Sequence, residues 1–222
     1  MFLSQYLQLV LGLSPLEAGI WMLPWALAFV VGSTLTPRIV HKIPPILIIA
    51  SGLAISAIGF GMLIQIDAST SFIYLSIGLV ISSLGLAPVF TLTTNLVIGS
   101  APPERAGSAS AISETTAELG GALGIGVLGS IGTSIYRTEF AKTIPADIPS
   151  DAQEAAIESL GGAKSLAEHL PNDIGSVLFD IAIDSFIQGL QFTVIISAAV
   201  AAVTAALVFV KLRKVQINSE QN

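Results

Sequence analysis

Two carboxylates stand inside an otherwise uncharged stretch. Glu114 and Glu118 lie in AGSASAISETTAELGGALGIGVLGSIGTSIY, and no Lys or Arg falls between Arg105 and Arg137. The pair is spaced one helical turn apart and therefore shares a helix face. An ionisable side chain within a membrane span is costly and marks a functional site by default. Low dielectric disfavours the charged form of a carboxylate, and a like charge nearby disfavours it further. A carboxylate so placed can exchange a proton or pair with an organic cation. Competition of proton and cation for one site is the physical core of antiport.

Two placements of the pair are open. The apolar part of the span can begin at Leu119, which leaves 106–118 as a helix extension in water. Alternatively the helix enters the bilayer near Ala106. Glu114 then lies about 12 Å and Glu118 about 18 Å along it. The flanking residues are Ala, Ser, Thr, Ile and Gly, whereas a solvated helix normally carries Lys or Arg. This favours immersion.

The whole chain supports a membrane setting. It has 222 residues, 53% hydrophobic and only 11% charged, with a mean hydropathy of +0.82. Soluble domains carry about 25% charged residues. The net charge of −6 is unevenly spread, and no nucleic-acid partner is expected. There is no Cys, and the two histidines, His41 and His169, lie outside apolar runs. Neither a metal site nor a cofactor is expected. An intramembrane hydrolase is disfavoured, because no span carries a His or a Ser–His or Asp–Asp arrangement. The chain is not expected to be an enzyme.

A helical span takes about 20 apolar residues. Five stretches qualify, at about 18–40, 44–65, 72–99, 106–135 and 187–210, with a partial helix at 2–13. Lys and Arg in short loops set orientation. Arg38 and Lys42, then Arg105, then Lys211, Arg213 and Lys214 alternate consistently, which places all three groups and the C-terminus in the cytoplasm. The segment 137–186 then lies outside. Ser150 with Gln153 reads as a capping box for a helix to about Leu170. Pro171 and Asn172 interrupt it, and a helix from about Asp173 runs into the last span. The segment is expected to be an external helical hairpin, with Asp173, Asp180 and Asp184 on its wet side.

Other residues are candidates for a polar or cation-binding cavity. Trp21, Trp25, Phe29 and Phe90 lie in spans, and aromatic faces attract cations. Thr91 and Asn95 form a polar stripe one turn apart, and Gln5 and Gln8 give the first helix a polar face. Pro24 and Pro88 sit inside spans. Gly120, Gly124 and Gly132, and separately Gly126, Ser130 and Ser134, form small-residue stripes suited to close helix packing.

Three segments carry a family resemblance: SQYLQLVLGLSPLEAGIWMLP, TPRIVHKIPP and APPERAGSASAISETTAELGGALGIGVLGSI. They resemble the C-terminal half of fourteen-helix drug:proton antiporters of the major facilitator superfamily, nearest the QacA/SmvA-like branch of quaternary-ammonium exporters. The resemblance covers essentially the whole chain. It implies an all-α, multi-pass membrane bundle over 1–222: the six-helix second half of that fold, with a truncated first helix and an external hairpin. It implies proton-coupled efflux of lipophilic cations, with Glu114 and Glu118 as coupling residues. Gln5, Gln8, Phe90, Thr91 and Asn95 would line the cavity, and Arg38 and Lys42 would be the cations of a degenerate cytoplasmic loop motif. Some relatives have a further acid where Phe29 or its neighbours stand, so monovalent cations are the expected substrates. The implied partners are protons, lipophilic organic cations, the lipid bilayer of the bacterial cytoplasmic membrane, and a missing N-terminal half. A non-transporting membrane scaffold or assembly partner is the competing reading. It would keep helix packing without the cavity.

Overall fold

The computed structural model describes residues 2–144 and 150–219, the side chains of 150–152, 172 and 212–219 excepted. Among these residues the structure is helical, with no strand. The elements are α1 (Phe2–Gln5), a π-helical turn (Tyr6–Val10), α2 (Pro15–Val40), α3 (Pro45–Leu63), α4 (Phe72–Gly99), α5 (Ala106–Thr143), α6 (Ser150–Glu158), α7 (Leu160–Ala167) and α8 (Asn172–Ser219). Five helices are long and apolar enough to cross a membrane. The architecture is the expected multi-pass helix bundle.

The starts of two helices have visible causes. Ser14, Pro15 and Glu17 open α2 as a capping box. The Ser14 amide and hydroxyl both donate to Glu17 Oε2, at 2.9 and 2.8 Å, and the Glu17 amide donates back to Ser14 Oγ at 3.3 Å. Pro at the first helical position lacks a donor that would be unpaired there anyway. The SPLE spelling carries this signal in full. Ser159 caps α7 by accepting from the Gly162 amide at 3.1 Å. It thereby divides the expected hairpin helix into α6 and α7. The side chain of Ser150, the other expected cap, lies outside the described residues.

The chain forms two compact groupings, Met1–Trp21 with Ile64–Ser71 and Leu123–Val194, and Met22–Leu63 with Phe72–Ala122 and Ile195–Asn222. In the second, α3 and α4 pack through small residues. Gly52, Ser56 and Gly59 on α3 meet Gly85, Ser82 and Gly78 on α4, both at i, i+4, i+7 or its reverse. A Cβ on Gly52 would lie 2.6 Å from the Gly85 carbonyl oxygen, and one on Gly59 would lie 2.8 Å from the Gly78 carbonyl oxygen. Buried Ser56 donates to the Gly52 carbonyl at 2.9 Å and across to the Ser82 carbonyl at 3.1 Å. Only glycine permits so close a backbone approach. On α2, Thr36 is fully buried and bonds back to the Gly32 carbonyl at 2.7 Å. Ser83 donates to the Trp25 carbonyl at 2.9 Å.

The first grouping has an aromatic core of Tyr6, Tyr136, Phe140 and Phe186, closed by Leu160, Ala163 and Leu178. The buried hydroxyls of its tyrosines find carbonyls: Tyr136 that of Ala156 at 2.7 Å, and Tyr6 that of Asp67 at 3.0 Å. Gln191 donates to the neighbouring Ile66 carbonyl at 2.7 Å. The 64–71 connection is therefore pinned from two sides. Its own Asp67 accepts from the Ser69 and Thr70 hydroxyls and the Ser69 amide, which hold the carboxyl below its ordinary range. That contribution is present at neutral pH and fades as pH falls through the lowered value.

The small-residue stripes of α5 behave differently from expectation. Gly132 is packed against Phe2 and Thr193, but added Cβ atoms at Gly120, Gly121, Gly124 and Gly126 would meet nothing within 4 Å. Close backbone approach thus occurs between α3 and α4, where small residues face small residues, and at one point of α5, where a Cβ on Gly189 of α8 would lie 2.5 Å from the Gly132 carbonyl oxygen. Gly85→Val is expected to destabilise the protein by about 1–3 kcal/mol through overpacking. Gly121→Val is expected to be close to neutral. Thermal denaturation of both variants in detergent, followed by size exclusion, measures the contrast. Equal loss in the two variants would contradict this packing.

Candidate coupling and binding site

α5 carries the two expected coupling residues. It opens after Pro103–Arg105, a short 3₁₀ turn with proline in its first positions. It runs without interruption for 38 residues. Glu114 and Glu118 are both exposed and share one face with Ala111, Thr115, Gly121 and Ala122, which are also exposed. Neither carboxylate has a hydrogen bond or ion pair among the described residues. The pair is brought together by helix periodicity alone.

The opposite side of α5 borders a cavity of about 370 Å³. Ile112, Ser113, Thr116 and Ala117 form one wall. Val89, Phe90, Thr93, Thr94 and Val97 of α4 form the other. At about 100° per residue, the Glu face points about 150° away from this wall. The carboxylates and the cavity thus occupy different sides of one helix.

The remaining candidates are spread over the molecule. Phe29 and Phe90 meet edge to face, with ring centroids 6.0 Å apart and planes at 69°. Trp25 is exposed on α2. Thr91 bonds back to the Ala87 carbonyl at 2.9 Å, and Asn95 is exposed one turn further along α4. Of the expected cavity residues on α4, only Phe90 lines the cavity. Gln5 and Gln8 belong to the other grouping, where they are partly buried and Gln8 donates to Ser4 Oγ at 3.0 Å. Arg38 lies exposed in the last turn of α2, where a cation complements the helix dipole. Lys42 lies in the turn that follows, its amide donating to the Ile39 carbonyl at 3.0 Å. Among the described residues no group of three or more His, Asp or Glu could hold a metal ion.

Sequence reasoning missed Thr93, Thr94, Ser113 and Thr116. The signal was available: hydroxyl pairs at i, i+1 on α4 and i, i+3 on α5, in neighbouring spans joined by a short connection.

Residues 1–125 match the family model described as Major Facilitator Superfamily. That match covers more than half of the chain. The chain belongs to the Major Facilitator Superfamily. Members of this superfamily are transporters and generally not enzymes. Individual relatives extend the likeness beyond residue 125. "Multidrug efflux pump LfrA" of Mycolicibacterium smegmatis is 34% identical over 213 residues, which is 96% of this chain and 42% of that protein. "Tetracenomycin C resistance and export protein" of Streptomyces glaucescens is 31% identical over 211 residues, 93% of this chain and 39% of that protein. "Methyl viologen resistance protein SmvA" of Salmonella typhimurium is 31% identical over 188 residues, 84% of this chain and 37% of that protein. The chain therefore spans less than half the length of these relatives. Its apolar helices and its superfamily make it a multi-pass membrane protein.

Proposed function

We propose that this chain is the C-terminal half of a proton-coupled multidrug exporter for lipophilic and quaternary-ammonium cations. The reading assigns it to the fourteen-helix, QacA/SmvA-like branch and to the bacterial cytoplasmic membrane. The observation that carries it is the pair Glu114 and Glu118, aligned on one uncovered face of a span that has no cation of its own. Relatives named for multidrug efflux and methyl viologen resistance support the substrate class.

In this reading the missing part, with eight further helices, covers the Glu face of α5 and closes a cavity around it. Once lipid or protein replaces water there, a bare carboxylate becomes costly. A proton or an organic cation must neutralise it, and each displaces the other. Inward-facing states exchange the cation from the cytoplasm, and outward-facing states exchange the proton from outside. Alternating access needs both halves to rock about such a site. The exposed Trp25 supplies an aromatic face for the apolar body of the cation.

Orientation follows from Arg38, Lys42, Arg105 and Lys211 on the cytoplasmic side. A membrane-impermeant maleimide applied to intact cells should label Ala155→Cys. It should reach Arg105→Cys only after the membrane is opened. The reverse pattern overturns the topology.

In the complete transporter, Glu114→Gln with Glu118→Gln should slow pH-gradient-driven ethidium efflux from everted vesicles by about tenfold or more, equivalent to at least about 1.4 kcal/mol. The amide keeps the size and removes the charge, so expression and thermal stability should be retained. Unchanged pH-dependent efflux in the double variant would remove the coupling role.

A further inference from the structure

α3 and α8 leave an apolar groove of about 340 Å³ between them. Its walls include Leu47, Ala50 and Ala54 on α3 and Ala205, Ala206 and Phe209 on α8. We propose that it seats an acyl chain of an anionic phospholipid, whose headgroup is held by Lys42 and Lys211 at the mouth of the groove. The site is separate from the Glu face of α5. The proposal goes beyond the exporter reading and does not rest on it.

Small side chains make the groove. Alanines line it on both helices, so neither helix fills the gap left by the other. From Leu47 to Ala54 it follows α3 for about 10 Å, a length that suits an extended chain. Ile55 and Ile58 of α3 and Val203, Leu207 and Val210 of α8 are exposed. On membrane spans such apolar surface meets hydrocarbon. Lipid tails are as apolar as Leu, so a chain enters without a desolvation cost. Its gain is van der Waals contact with two helices at once.

Charge selects the lipid. Two crossings, α4 and α5, lie between these helices in the chain, so α8 ends on the side of the membrane where α3 begins. Lys42 stands three residues before α3, and Lys211 two residues after Phe209. With Arg38, Arg213 and Lys214, five of the nine Lys and Arg of the chain gather at this end. No Asp or Glu occurs between Glu17 and Asp67, or between Asp184 and Glu220. The other connection at this end carries Glu104 beside Arg105 and adds no net charge. Arg38, Lys42 and Lys211 are exposed, and among the described residues none of them has an ion pair. The N-terminal end of α3 adds partial positive charge. Such a cluster at a membrane surface attracts anionic headgroups.

The order of charge and groove matches one lipid molecule. Leu47 lies in the first turn of α3, directly below the level of Lys42. A lysine stem lies along apolar surface while its ammonium stays at headgroup level. The cations therefore mark the membrane surface, and the groove runs from there into hydrocarbon. Other occupants fit less well. A second copy of this chain would bring its own cations against these, and like charges across an interface are costly. A small free anion has no chain to place in the groove. A zwitterionic lipid would add an ammonium of its own to a cluster without acids.

The test uses the full 222-residue chain in detergent and native mass spectrometry. Dioleoyl phosphatidylglycerol is the anionic probe, and dioleoyl phosphatidylcholine is the zwitterionic probe with the same chains. The first phosphatidylglycerol should bind about tenfold or more tighter than the first phosphatidylcholine. Lys42→Gln with Lys211→Gln should remove most of that preference. Ala54→Phe with Ala206→Phe, at two exposed positions, should fill the groove and remove the tight first step while every cation stays in place. Arg105→Gln takes a cation from the α4–α5 connection and should bind lipid as the parent protein does. Melting temperatures confirm that each variant is folded, and the Lys→Gln pair decides the matter if the Phe pair does not fold. Equal affinity for the two lipids overturns the proposal, as does unchanged phosphatidylglycerol binding in either folded double variant. An equal loss in Arg105→Gln also overturns it, since overall surface charge would then explain the binding. So does displacement of the lipid by sn-glycerol 3-phosphate, which has the anionic head without chains. A dimer that forms without lipid and is lost in the Phe pair would assign the groove to a second copy and overturn the proposal as well.

Discussion

The backbone contact between α3 and α4 is the constraint from which the rest of the membrane part follows. Lipid removes most of the hydrophobic drive between helices, so association depends on close packing and on hydrogen bonds between helices. Gly52 and Gly85 allow the backbones to touch, and Ser56 adds a bond to the Ser82 carbonyl. The contact continues to Pro88 and Val89, which lie 3.4 and 3.1 Å from where a Cβ of Gly52 would stand. With that register set, the face of α4 that bears Phe90, Thr93 and Thr94 is turned about 90° away from α3. It is presented to α5 as a consequence of glycine placement elsewhere.

α5 then presents two unlike faces on one helix. One face is hydroxylated and apolar, and borders α4. The other is acidic and open, and is free to face a partner. Periodicity of 3.6 residues per turn sets the two faces apart within seven residues, Ile112 to Glu118.

Much of this was legible in the chain, and the parts that were not share a cause. Spans were readable because each is a long apolar run between short polar connections, and breaks such as Pro171 ended helices where proline must. The carboxylate pair was readable because charge is rare in such runs. Partner choice was not. Gly52, Ser56 and Gly59 look no more suited to packing than Gly120, Gly121 and Gly124, since a run of small residues states what a helix permits and not which neighbour arrives. The hydroxyls of Thr93, Thr94, Ser113 and Thr116 were passed over for the same reason: their meaning appears only when two spans are side by side. Ser159 was missed because a cap was sought only at the first polar residue of the hairpin, although Ser followed by Leu-Gly-Gly offered a second start.

The composition of α5 has a further consequence, for biogenesis. Of the five membrane-crossing helices it is the least apolar. Acidic side chains near a helix centre oppose insertion, by about 2.5–3.5 kcal/mol for Asp on scales that report translocon partitioning. Glu114, Glu118 and the hydroxyls around them place this segment near the threshold at which the translocon releases a helix sideways into lipid. The strongly apolar α8 follows it, and α4 precedes it across a connection of only a few residues. α5 therefore depends more than the other spans on its neighbours as it enters the bilayer, because its acidic and hydroxylated residues lower its own tendency to insert.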